Sequence, residues 1–219
     1  VRVLATPDTP IPEVQLLSNG RYHVMVTNAG GGSSRWKDIA VTRWREDATC
    51  DSWGAFCYLR DVDSGHVWST TLQPTLQRAD ACETAFCTGT AMFRRRDRGI
   101  ETQTDIAVST DDDVELRRVR ITNGAGTGRL LDVTSYAEIV LAPAATDAAH
   151  PAFNKLFVQT EILPELCAIL CTHRARAPDD PAPWMFHLLT ATGPTDADLT
   201  FETDRMQFVG RGRSTADPQ

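Results

Sequence analysis

Trp36, Trp44 and Trp53 fall within one stretch, Gly30 to Gly54 (GGGSSRWKDIAVTRWREDATCDSWG), beside Arg35, Lys37, Arg43 and Arg45 and the carboxylates Asp38, Glu46, Asp47 and Asp51. Indoles next to charged forks suit a sugar: the flat ring stacks on the apolar C–H face of a pyranose, and Arg, Asp and Glu take its hydroxyls. Strict alternation puts Trp36, Asp38, Ala40, Thr42 and Trp44 on one face of a strand and Ile39 and Val41 on the other, against a core. The candidate carbohydrate-binding residues are therefore Arg35, Trp36, Arg43, Trp44, Glu46, Asp47 and Trp53. The same residues also fit a structural role, with indoles buried in a core or interface and arginines in surface ion pairs. Composition alone favours that second role.

Little else in the chain suggests chemistry. The glycine-rich turn Ala29 to Ser33 lacks the Lys-Ser/Thr and the helix of a phosphate loop, so no nucleotide site is expected. Asp111-Asp112-Asp113 reads as a solvated turn, because the spaced oxygen ligands and closing Glu of a calcium loop are missing. The five histidines are scattered, and His150 is the one in a plausible functional loop. None of the six cysteines forms a metal-type C-x-x-C pair, and Cys167 and Cys171 on one strand would lie about 13 Å apart, too far for a disulfide. Reduced, buried thiols in a cytoplasmic setting, with no metal and no cofactor, are the expectation. A net charge of -7 disfavours a nucleic-acid partner. No apolar run reaches membrane-spanning length, so direct membrane insertion is not expected.

The elements that must position these residues are strands. Val1 to Glu13, with Pro7, Pro10 and Pro12, reads as a linker, and residues 14–219 as one domain cut from a larger protein. Ser18-Asn19-Gly20 joins Val14–Leu17 to Arg21–Thr27 in the strongest short hairpin signal of the chain. Tyr22, Val24 and Val26 alternate with Arg21, His23, Met25 and Thr27, and further on Ile100, Thr102, Thr104, Ile106 and Val108 share one face. Further strands are predicted at 54–61, 66–70, 84–94 and 100–109, the last two around Phe93-Arg94-Arg95-Arg96-Asp97-Arg98-Gly99, taken as a solvated hairpin end. Val114 and Leu116 are out of phase with Val119 and Ile121, which predicts a bulge near Arg117 or Arg118. In 129–141, Leu131, Val133, Ala137, Ile139 and Leu141 read as inward and Asp132, Thr134, Tyr136 and Glu138 as outward. Pro143 to Pro151 reads as an irregular loop. Strands at 155–160, 166–172, 184–190 and 199–203 and a helical turn near 204–209 complete an all-β, antiparallel sandwich with little helix.

Five phrases, read together, carry a resemblance: LLSNGRYHVMVTNAGGGSSRWKDIAVTRWRED, WGAFCYLRDVDSGHVWSTTLQPT, VTSYAEIVLAP, HPAFNKLFVQTE and FETDRMQFVGRG. In order, from about Val14 to the end, they resemble the amino-terminal sandwich region of glycoside hydrolase family 94, most closely the copy in cyclic β-1,2-glucan synthases. The resemblance implies a galactose-mutarotase-like supersandwich that packs against a helical (α/α)6 barrel within a β-glucan synthase or phosphorylase-type enzyme. In that family the catalytic acid and the phosphate-binding groups belong to the barrel, so no catalytic residue is carried over. The expected partners are a β-glucan oligosaccharide and the barrel, in a parent held at the inner membrane with this domain on the cytoplasmic side. A competing reading makes the domain an architectural module that buries its tryptophans against the barrel or in a homodimer. A third, a free-standing mutarotase-like enzyme, requires a His and a Glu converging within hydrogen-bond reach.

Overall fold

The computed structural model describes residues 1–47, 49–175, 177, 180, 182–193 and 199–219, which form sixteen strands and three short helices. The Asn19-Gly20 turn, with Gly20 at φ 90°, joins β2 (Val14–Ser18) to β3 (Tyr22–Thr27), and β1 (Arg2–Leu4) precedes them. Next come β4 (Gly32–Trp36), β5 (Ile39–Thr42), β6 (Ala55–Asp61) and β7 (Val67–Ser69). A meander follows: β8 (Ala81–Cys87), β9 (Thr90–Asp97), β10 (Ile100–Val108) and β11 (Glu115–Asn123). Then β12 (Leu131–Ala137) and β13 (Ile139–Pro143) lead into α1 (Ala144–Ala149) and α2 (Pro151–Lys155). The chain closes with β14 (Val158–Leu163), β15 (Ala168–His173), β16 (Trp184–Leu188) and α3 (Arg205–Val209), where the Asp204 side chain accepts the Met206 N–H at 2.8 Å.

These strands make four antiparallel sheets, ordered β1-β8-β9-β10-β11, β13-β5-β4-β3-β2, β12-β6-β7 and β14-β15-β16. The two five-stranded sheets face each other. Alternate residues Leu17, Tyr22, Val24, Val26 and Val41 of one meet Phe86, Ala91, Phe93 and Ile106 of the other in a continuous buried core. A smaller core forms where Leu59 and Trp68 of the β12-β6-β7 sheet pack on Ile100. Period-two burial on β3 and β10 is what the sequence predicted, and it places the sandwich interior between the large sheets.

Several local expectations need correction. The opening segment is not a bare linker, since Arg2–Leu4 pairs with β8 before the first proline. The Gly30–Gly54 stretch holds a hairpin rather than one strand: Lys37 takes φ 50° and turns β4 back as β5, so the alternation from Trp36 to Trp44 crosses a bend. The basic run is not a solvated hairpin end, because Phe93–Asp97 lies inside β9 and Arg95 is buried on Asp97 and the carbonyls of Thr71 and Gln77. β11 runs in unbroken register with β10, so no bulge occurs at Arg117 or Arg118; Glu115 and Arg117 face inward as an ion pair. The irregularity falls between Ile139 and Ala142, where Leu141 takes φ 51° and the predicted 129–141 strand divides in two. Glu138 is consequently buried, and Val133 is 36% exposed. Pro143 to Pro151 is largely helical, and residues 199–203 form no strand.

The core predicts a contrast between two aliphatic truncations on neighbouring strands. Ile106→Ala, at 1% exposure, is expected to lower unfolding free energy by about 2–5 kcal/mol in urea. Leu116→Ala, at 61% exposure, is expected to stay within about 0.5 kcal/mol. Equal losses would contradict this assignment of the interior.

Candidate functional site

The glycine run has a packing reason. A Cβ on Gly31 would sit 2.0 Å from the Asp51 carbonyl oxygen, and one on Gly32 would sit 2.1 Å from that of Met25. Only bare backbone lets the 51–53 segment and β3 close on β4. Gly32 then donates to the Trp53 carbonyl at 2.7 Å, which holds Trp53 beside the end of β5.

Arg43 leaves β5 there and points inward. It is 4% exposed, and its Nε and Nη2 make a two-pronged pair with Asp147 of α1 at 3.0 and 2.7 Å. Its Nη1 donates to Glu138 at 3.2 Å, and its guanidinium lies 6.0 Å from the Trp53 ring centroid. Arg45 adds a 2.6 Å bond to Asp147. Glu138 also accepts from Tyr136 at 2.7 Å and from Arg205, and the Lys155 ammonium stands 3.5 Å away. Burial pushes the Glu138 carboxyl up, but the Tyr136 hydroxyl and the Arg205 and Lys155 cations outweigh it and hold it below the usual range. Asp147 is likewise held low against its burial by Arg43 and Arg45. Both carboxylates are saturated by donors from the fold.

At the other end of the β4–β5 hairpin Trp36 is also engaged. Its Nε1 donates to Asp113 at 2.6 Å, Lys37 Nζ stands 4.4 Å from its ring centroid, and Arg21 pairs with the same Asp113 at 2.9 Å. The 111–113 turn is therefore tied to the hairpin rather than merely solvated. Arg35, Glu46 and Asp47 are exposed; Asp47 accepts from the Thr49 hydroxyl and N–H, which lower its pKa. Trp44 and Trp53 are half-buried. The seven sequence candidates thus divide: Arg35 and Trp36 lie by the Lys37 turn, Arg43, Trp44 and Trp53 at the opposite end, with Glu46 and Asp47 beyond.

A second polar cluster escaped the sequence reading. Glu115 accepts from Arg117 at 2.6 Å, from Tyr22 at 3.5 Å and from Ser34, and Arg117 Nη1 reaches the Ala55 carbonyl at 2.7 Å. His187 of β16 lies in the field of both charges and makes a 2.8 Å hydrogen bond with Ser135 of β12. The available signal was the alternation of Glu115 and Arg117 with Leu116 and Arg118 on one strand. His150 lies exposed between α1 and α2. Among the described residues no group of three or more His, Cys, Asp or Glu side chains could hold a metal ion, no helix is long and apolar enough to cross a membrane, and all six cysteines are unpaired; contrary to the expectation of buried thiols, Cys171 alone is buried and Cys50 and Cys82 are exposed.

Comparison with known proteins places this geometry. The model of the glycosyl hydrolase 94 supersandwich domain matches residues 1–219. The chain is 38% identical over 217 residues to the cyclic beta-(1,2)-glucan synthase NdvB of Rhizobium meliloti, spanning 99% of this chain and 8% of that protein. It is 26% identical over 221 residues to the N,N'-diacetylchitobiose phosphorylases of Vibrio proteolyticus and Vibrio furnissii, spanning 99% of this chain and 27% of each. It therefore covers a small part of the length of the relatives it matches.

The buried charges set a pH response. Burial lowers the His187 pKa, so below its ordinary value of about 6.5 the unfolded chain takes up protons that the folded chain resists. Stability from this source is full above pH 6.5 and falls as the pH drops; His66, also lowered by burial, acts in the same direction. Glu115, Glu138 and Asp147 are held low, so their contribution is full above their ordinary carboxylate values and is lost as pH falls through their folded ones. The thermal midpoint should hold level between about pH 7 and 8 and fall in two stages below that, with His187→Gln making the first stage shallower. A midpoint unchanged between pH 7 and 5, or the same slope in His187→Gln, would contradict this.

Proposed function

The chain belongs to the glycosyl hydrolase 94 supersandwich family, and on that premise we propose that it is a non-catalytic module of a β-glucan-processing enzyme. It packs against the remainder of that enzyme, the helical barrel of family 94, and contributes surface to the glucan path. What carries the reading is the state of its carboxyl groups. Among the described residues, every carboxyl whose pKa departs from its ordinary value is lowered: Asp47, Asp61, Asp105, Asp113, Glu115, Glu138 and Asp147. Protonating a glycosidic oxygen near neutral pH requires the opposite, a carboxylic acid held up.

The surface that suits the remainder of the enzyme lies on α2 and α3. Lys155 and Arg205 meet there on one carboxylate, with Leu156 70% and Met206 57% exposed beside them in sequence. Of the seven candidates, Arg35, Glu46 and Asp47 are exposed and Trp44 and Trp53 half-buried; Trp44 with Glu46 and Asp47 is the part of the first cluster proposed to touch glucan, and Arg43 and Trp36 serve by fixing its frame. Six unpaired cysteines fit a reducing compartment, which supports work on the cytoplasmic side of the membrane. The exposed apolar residues of α2 and α3 also favour a second reading, a purely architectural or dimerising module.

Incubated with linear β-1,2-gluco-oligosaccharides, with and without inorganic phosphate, the chain should release neither new reducing ends nor sugar phosphate. The same sugars should produce a saturable change in tryptophan fluorescence. Turnover would overturn the non-catalytic assignment, and no optical change at millimolar sugar would remove the glucan role and leave the architectural one.

A further inference from the structure

The β14–β15–β16 sheet packs one of its faces against the rest of the protein. Cys171 and His173 are buried on that face, Met185 packs against the main core, and His187 bonds to Ser135. Directly paired residues of an antiparallel ladder project to the same side, so the register defines the opposite face as parallel rows. One row is Trp184–Thr172–Gln159 and the next is Phe186–Leu170–Glu161.

Trp184 is 63% exposed and Phe186 46%, and their rings meet edge to face with centroids 5.4 Å apart. Trp68, by contrast, is 2% exposed, and the indole N–H of Trp36 is held by Asp113. Gln159 and Glu161 on β14 are exposed and stand two strands away, roughly 10 Å at the usual strand spacing. An aromatic strand thus runs alongside a polar one, with Thr172 and Leu170 between them.

That composition selects among occupants. A dry polypeptide interface is depleted of charge at its centre, and it would strand Glu161 and Gln159 in the rows that hold the aromatics. A pyranose chain has both chemistries: apolar C–H faces for Trp184 and Phe186, and hydroxyls around its rim for Thr172, Gln159 and Glu161. We propose that this face is a stacking platform for a glucan chain, with Trp184 as its anchor and Phe186 beside it. The proposal rests on the reading that the domain contacts β-glucan, and it adds a site outside the Gly30–Gly54 stretch.

Calorimetric titration of the 219-residue chain with linear β-1,2-gluco-oligosaccharides, and with cello-oligosaccharides for comparison, tests it. Trp184→Ala should weaken binding about tenfold or more, a loss of the size expected when one stacked ring is removed. Phe186→Ala should weaken it less, and Trp184→Phe should restore part of the loss. Because Trp184 is exposed, its variants should keep the parent thermal midpoint, which separates lost binding from lost fold. Unchanged affinity in Trp184→Ala, with loss in Trp44→Ala, would overturn this proposal and leave the glucan reading standing. No binding by the parent chain at millimolar sugar would overturn both. Self-association of the parent that Trp184→Ala abolishes, without sugar binding, would assign the face to a second copy and overturn the proposal.

Discussion

The structure depends on the burial of one guanidinium. Arg43 is closed from solvent at the end of β5, with Asp147 gripped by two of its nitrogens and Glu138 by the third. Removing such charges from water costs several kcal/mol per ion, and the arrangement holds only because geometry and further donors offset that cost. Arg45, Tyr136, Lys155 and Arg205 supply those donors. In doing so they tie β5, the β12–β13 corner and all three helices to one point. An ion pair of this kind specifies an arrangement more than it adds stability, and here it fixes the corner where β12 and β13 lead into α1 and α2.

That constraint explains which parts of the fold were legible. The Asn19-Gly20 hairpin and the alternating faces of β3 and β10 were readable because local turn chemistry and a single buried face both point to the same register. Glu138, Arg117 and Arg95 were misassigned for a common reason. Each is a charged residue facing inward, and its partner lies far off in the chain, as Asp147 does from Arg43, or two residues away on its own strand, as Asp97 does from Arg95. Polarity patterns take a charge as solvent-facing, so the inward phase of β11 looked like a bulge and the corner at Glu138 looked like continuous strand. The turn at Lys37 was hidden because a lysine at positive φ leaves no glycine or asparagine signal.

The candidate site shows the same division. Clustering of Trp and Arg in Gly30–Gly54 pointed to a sugar surface, yet much of the polar capacity of that stretch is used within the fold. Trp36 and Arg43 have assigned partners, whereas Trp44, Glu46 and Asp47 keep surface. The most exposed aromatic pair lies elsewhere, on β16, where Trp184 and Phe186 had no charged forks beside them in sequence to draw attention. Their polar companions come from β14 and meet them only through the sheet.

The most direct test of this account is a double-mutant cycle between Arg43 and Asp147, using Arg43→Met, Asp147→Asn and both together, read by urea unfolding. If the buried guanidinium holds the corner, each single variant loses about 3–5 kcal/mol, because it leaves a charge buried without its partner. The double variant should then lose distinctly less than the sum, with a coupling of up to about 3 kcal/mol. Additive losses, or single variants within about 0.5 kcal/mol of the parent as expected of surface changes, would show that the corner is held by packing alone and would contradict the account.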